Sequence, residues 1–144
     1  MKSQSWESKS EEETREIGRE IAAMIPEDAL IYLSGDLGAG KTLLVRAIAT
    51  ELGADPGDVA SPSFNLIHEY PVEGKRSIFH VDGYRLSDDR REWLEIGIED
   101  LIRGPGITFV EWPKRHFDEL VRATAEIRID VEDDESRTIV LDAD

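Results

Sequence analysis

The sequence predicts an α/β domain built on a mainly parallel sheet. Short apolar segments rich in strand-forming residues, "ALIYL", "SIFHV" and "ITFV", alternate along the chain with segments of helical periodicity, the pattern that buries a parallel sheet between helices. The first of them runs into "SGDLGAGKT", where Gly35, four residues, Gly40, Lys41 and Thr42 complete the phosphate-loop spacing ahead of "LLVRAIATEL". Strand, glycine loop and helix in that order make a three-layer P-loop NTPase fold the expected architecture. Residues 1–144 are expected to form a single domain, because 144 residues with 40% hydrophobic content suffice for one core and fall short of two.

Each element has a local reason. Ser10 followed by Glu13 is a capping box, and Ile17, Ile21, Met24 and Ile25 form one face of the helix it opens. The acids Glu11 to Glu13 fall in the first turn of that helix, where they complement its dipole and stay solvated. After the phosphate-loop helix, "GADPGDVASPS" is broken by Gly and Pro into a loop leading to "FNLIHEY" as a strand. Pro71 and Gly74 turn the chain, "RSIFHVD" is the next strand, and "SDDRREWLEIG" is a short helix capped by Ser87. "GITFVEW" follows as a strand, and Pro113 opens a helix with Phe117, Leu120 and Val121 on one side. Finally "AEIRIDVEDDESRTIVLDA" alternates apolar and polar residues about an acidic turn, which reads as a C-terminal antiparallel hairpin at a sheet edge.

The glycine loop points to a phosphate ligand. Gly35, Gly38 and Gly40 let the backbone turn its N–H groups inward, Lys41 adds a point charge, and the following helix offers its positive end. Residues Gly35, Asp36, Leu37, Gly38, Ala39, Gly40, Lys41, Thr42 and Leu43 are therefore the expected nucleotide contacts, with the Thr42 hydroxyl placed for Mg²⁺.

Composition excludes several other functions. Asp and Glu number 32 against 17 Lys and Arg, and the net charge of −15 opposes nonspecific attachment to nucleic acid or anionic membrane, so any RNA connection is expected to be indirect. There is no cysteine, hence no disulfide framework and no thiolate metal site. The start "MKSQSWESKSEEETREIG" lacks the apolar core of a signal peptide and no apolar run reaches membrane length, so a cytoplasmic address is expected.

In sheets of this kind ligands gather at the carboxyl ends of the strands, so functional side chains should follow apolar segments directly. Two acids do, Asp82 after "SIFHV" and Glu111 after "ITFV". Such carboxylates hold Mg²⁺ through its water shell or polarise an attacking water. Glu111 is assigned to the metal with Thr42, and Asp82 to catalysis alongside Lys41; the reverse division of the two acids remains open. In "SPSF", Ser63 is either a hydroxyl that senses the γ-phosphate or part of a plain turn entering a strand. Trp112, after Glu111, is either a stacking group beside the nucleotide or packing. His80 lies inside an apolar strand and reads as a packed core group or a support for a ligand, while His68 and His116 show no metal-ligand spacing.

The series "GDLGAGKT", "SPSFNLIHEY", "HVDGYRL", "IGIEDLI" and "ITFVEWP" resembles the TsaE (YjeE) family, the small bacterial P-loop ATPases of tRNA threonylcarbamoyladenosine biosynthesis. The likeness runs from about the first helix to the last strand, and "HVDGYRL" and "FVEWP" carry most of its specificity. It implies ATP and Mg²⁺ as ligands, slow turnover without partners, and work alongside TsaB and TsaD, the pair that transfers the threonylcarbamoyl group. By position it implies phosphate and metal contacts for Lys41 and Thr42, a switch-like loop at Ser63, Asp82 and Glu111 as the acidic pair, and Trp112 following the acid. Two positions depart from the family pattern: Ser63 stands where threonine is usual, and Lys114 where an acid often follows "EWP". The competing readings are a small-molecule kinase, with Arg85, Arg90 and Arg91 as a phosphate-clamping lid, and a nucleotide-dependent binding module with little hydrolysis. A GTPase is disfavoured, since the sole asparagine, Asn65, cannot supply an Asn-Lys-x-Asp segment.

Overall fold

The computed structural model describes residues 2–36, 38–55, 67–82, 97, 100–101, 104–111 and 123–143. Seven strands and two helices are defined within them, in the order β1 (Lys2–Ser8), α1 (Glu11–Ala22), β2 (Ala29–Gly35), α2 (Lys41–Glu51), β3 (Ile67–Tyr70), β4 (Ile78–Asp82), β5 (Ile107–Glu111), β6 (Ala125–Val131) and β7 (Arg137–Ala143). They form one mixed sheet in the order β1-β7-β6-β2-β5-β4-β3. The central strands β6, β2, β5 and β4 run parallel, while β1 and β7 on one flank and β3 on the other are antiparallel to their neighbours.

The two faces of the sheet carry separate cores, as period-two alternation requires. Ala29, Ile31 and Leu33 of β2 join Phe109, Ile127, Ile129 and Ile139 under Ile17 and Ile21 of α1 and Leu44, Val45 and Ile48 of α2. Leu30 and Tyr32 face the other way, with Ile67, Val81 and Val110, against Phe79, Leu101 and Ala123. β5, buried at every position, is apolar on both faces as a central parallel strand must be. Full burial of each such aliphatic side chain contributes about 1.5–3 kcal/mol relative to exposure.

The N-cap expected at Ser10 is present at α1, with the return bond of the box shifted by one residue. The Glu13 N–H donates to Ser10 Oγ at 3.1 Å, and the Glu13 carboxylate in return accepts from the Lys9 N–H. Glu11 and Glu12 pair with Arg15 on the exposed surface at 3.5 and 3.4 Å, which accounts for the acidic run as solvated charge. Ile17 and Ile21 are buried, but α1 ends at Ala22, so Met24 leaves the expected face and is 46% exposed.

Two features correct the sequence reading. The hairpin expected at a sheet edge lies inside the sheet: β6 runs beside β2, and β7 is covered by β1. The covering strand is the N-terminal segment "KSQSWES", whose backbone pairs along its whole length with β7 from Lys2–Ala143 to Ser8–Arg137. A polar segment with a single apolar residue, Trp6, suits an edge strand, because backbone bonds hold it and its side chains discourage further pairing. Ser8 closes the passage to α1: its hydroxyl, fully buried, donates to the Ser10 carbonyl at 2.8 Å and lies 2.7 Å from Thr14 Oγ1. The helices expected after Ser87 and Pro113 lie outside the described residues.

Replacing Ser10 by Ala should lower the unfolding free energy by about 1 kcal/mol, the usual worth of an N-cap side chain. Urea denaturation measures it, and an unchanged midpoint would show that the box does not hold the start of α1.

Candidate functional site

Because β4, β5, β2 and β6 are parallel, their carboxyl ends share one margin of the sheet. The register places Asp82 opposite Glu111, Glu111 opposite Leu33, and Gly35 opposite Ile129. The two acids picked out as strand-ending residues are thus neighbours in the backbone, and the glycine loop leaves β2 two residues beyond Leu33. The side chain of Asp82 lies outside the described residues, as do Leu37, Ser63, Trp112, His116, Lys114 and the Arg85, Arg90 and Arg91 cluster.

The loop geometry accounts for its glycines. Gly35 has φ 148°, and a Cβ there would come within 2.6 Å of the Ile129 carbonyl oxygen, so β6 can sit against the exit of β2 only beside glycine. Gly40 caps α2 in the left-handed region at φ 106°. Between them the Ala39 N–H donates to the Asp36 carbonyl at 3.0 Å, and the Leu44 N–H to the Gly40 carbonyl at 2.9 Å, which closes the loop onto the first turn of the helix. Ala39 is buried, Thr42 is exposed on that turn, and Leu43 is half-buried.

Lys41 is the first residue of α2 and is only 6% exposed. Its Nζ donates to the Gly35 carbonyl at 2.6 Å and lies 3.8 Å from Glu111 Oε1. Two residues six positions apart in the chain, at the start and end of the loop, are so joined through the lysine. Glu111 is itself buried, and its Oε2 is 3.3 Å from Nε2 of His80. His80 is 1% exposed, which places it as a packed neighbour of the acid, in keeping with its apolar strand. His68 lies beside it across the β3–β4 pair, ring centroids 5.8 Å apart. Tyr70 completes the group from β3: burial holds its phenol above the usual tyrosine value, against the Arg46 guanidinium, which pulls it down, and with Glu111, which pushes it further up. It therefore remains a protonated, neutral group throughout the physiological range.

A cavity of about 580 Å³ adjoins the loop, lined by Gly38, Ala39, Gly40 and Leu43, by Ser10, Glu11 and Thr14 of the α1 start, and by the β6–β7 turn. That volume falls in the range of small-molecule sites. The Thr42 hydroxyl and the Glu111 carboxylate are hard oxygen donors of the kind Mg²⁺ takes, with waters and phosphate oxygens filling the remaining positions. Among the described residues no group of three or more acids and histidines forms a metal cage by itself. That donor set fits an ion held jointly with a phosphate. Sequence reasoning missed Tyr70, whose phenol feels the Glu111 charge and bonds to Arg46, and Arg137, which reaches the loop from β7. Placing the C-terminal hairpin at the edge hid the last of these; a parallel β6 beside β2 would have brought its carboxyl end to the loop.

Comparison with known proteins agrees with this fold. Residues 8–139 match the family described as "Threonylcarbamoyl adenosine biosynthesis protein TsaE". A TsaE of Synechocystis is 42% identical over 106 residues, covering 71% of this chain and 65% of that protein. The TsaE of Treponema pallidum is 31% identical over 134 residues, covering 93% of this chain and 96% of its own. Among solved structures, that of Bacillus subtilis YdiB superposes with a TM-score of 0.72 at 30% identity, over 99% of this chain and 86% of YdiB. Sequence, fold and the construction of the loop converge, and the chain belongs to the TsaE family.

Proposed function

We propose that this chain binds ATP with Mg²⁺ on the loop from Gly35 to Leu43 and hydrolyses it slowly, in support of threonylcarbamoyladenosine formation on tRNA with TsaB and TsaD as partners. The observation that carries the reading is the buried ammonium of Lys41, held by the loop's own Gly35 carbonyl and facing Glu111 at the carboxyl margin of the parallel sheet. A buried cation at the start of a helix that follows a glycine loop is suited to a multiply charged anion.

In this reading Lys41 moves from Gly35 to the β- and γ-phosphates, and the backbone N–H groups at the start of α2 take the phosphate oxygens. Thr42 and Glu111 are the residues that would hold the metal, and a bound Mg²⁺ would neutralise charge on the phosphates. Asp82, opposite Glu111 in register, positions and deprotonates the attacking water. His80 and Tyr70 keep Glu111 oriented within its buried surroundings. The cavity beside Leu43 receives the nucleoside. Ser63 couples the γ-phosphate to a surface read by the partners, and Trp112 flanks the nucleotide. The net charge of −15 directs the chain toward proteins rather than toward tRNA itself.

Lys41→Ala should weaken MgATP binding by about 1.5–3 kcal/mol, the usual loss for a charge-assisted contact, as read by calorimetry. Unchanged affinity would remove this loop from phosphate binding. Asp82→Asn and Glu111→Gln should keep the fold and slow partner-stimulated phosphate release by about tenfold or more, with Glu111→Gln alone also raising the Mg²⁺ concentration required. Normal turnover in both variants with TsaB and TsaD present would exclude the acidic pair.

A further inference from the structure

The β6–β7 turn is built more tightly than a surface connection requires. The Glu135 N–H donates to the Glu132 carbonyl at 3.0 Å and the Glu132 N–H to the Ser136 carbonyl at 2.8 Å. Glu135 itself sits in the left-handed region at φ 68°, where glycine would be unstrained. One oxygen of the Asp134 carboxylate accepts from both the N–H and the hydroxyl of Ser136, at 3.1 and 2.5 Å, and these bonds hold the Asp134 carboxyl below its usual value. These bonds shape the turn that brings Arg137 to the glycine loop. There Nε donates to the Ala39 carbonyl at 3.3 Å, Nη2 to the Gly38 carbonyl at 3.4 Å, and Nη1 to the Glu135 carbonyl.

We propose that Arg137 is a positioning residue of the phosphate loop, a brace that fixes the peptide planes following Gly38 and Ala39 from outside. In a trans peptide unit the carbonyl and the next N–H point in opposite directions. Holding the Gly38 carbonyl therefore directs the Ala39 N–H, which closes the loop onto Asp36, and holding the Ala39 carbonyl turns the Gly40 N–H to the side away from Arg137. Left-handed glycines alone leave those planes free to rotate. The guanidinium suits the task, since its planar fork reaches two carbonyls and the turn at once, which a lysine ammonium on a flexible stem cannot do. The register of β6 with β2, Gly35 against Ile129, delivers the turn to that place. The inference rests on reading the loop as a phosphate site, and it adds a residue from the far end of the chain to that site.

The test compares the full chain with Arg137→Ala and Arg137→Lys by hydrogen exchange without nucleotide and by calorimetry with MgADP. Both variants should exchange faster across residues 38–44 while α1 and β2–β5 stay as in the parent, and both should bind MgADP about tenfold or more weakly. Unchanged exchange in the loop, or acceleration spread equally over the whole chain, would overturn the brace. Full recovery by lysine would assign the effect to charge and overturn it as well. A parent chain that binds no MgADP would defeat the proposed ATPase reading, while the exchange measurement would still decide the role of Arg137.

Discussion

The ammonium of Lys41 is the centre on which the arrangement at the sheet margin depends. It is buried, and a buried ammonium must be matched by acceptors within a few ångströms. Gly35 and Glu111 supply them, and each requirement propagates outward. The Gly35 carbonyl is available because β2 ends there against β6. Glu111 is within reach because β5 runs parallel to β2 and ends at the same margin. His80, on the strand beyond β5, lies 3.3 Å from the acid, and Tyr70, one strand further, feels its charge. A buried pair of this kind adds little net stability compared with apolar packing, so its place at the mouth of a glycine loop is more readily understood through the proposed exchange of ligands than through folding.

The parallel order of four strands gathers residues far apart in sequence. Lys41, Asp82, Glu111 and the turn before Arg137 are spread over nearly one hundred positions, yet each follows or borders a carboxyl strand end. The polar N-terminal strand and β3 close the two flanks, and α1 with α2 covers one face. No helix among the described residues is long and apolar enough to cross a membrane. Two cations from distant parts of the chain, Lys41 and Arg137, both hydrogen-bond carbonyls of the loop.

What was legible in the sequence follows the same physics. The loop could be read because its chemistry requires particular residues at fixed spacing, and the apolar strands because a central parallel strand is buried on both faces. The placement of Asp82 and Glu111 side by side at one sheet margin could be read because they end such strands. β1 could not, since an edge strand held by backbone bonds leaves no apolar pattern in "KSQSWES". Met24 was misplaced because helical periodicity in the sequence continues past the point where α1 stops. Arg137 was invisible for a third reason: its contact with the loop depends on which strand β6 adjoins, and strand order is a long-range property that no local pattern encodes.

The account is tested most directly by a crystal structure of the chain with a nonhydrolysable ATP analogue and Mg²⁺. It predicts phosphate oxygens bonded to Lys41 Nζ and to the backbone N–H groups at the start of α2, with Lys41 released from the Gly35 carbonyl and the metal near Thr42 and Glu111. A nucleotide bound elsewhere, or Lys41 still held by Gly35 and Glu111 with the analogue present, would contradict it.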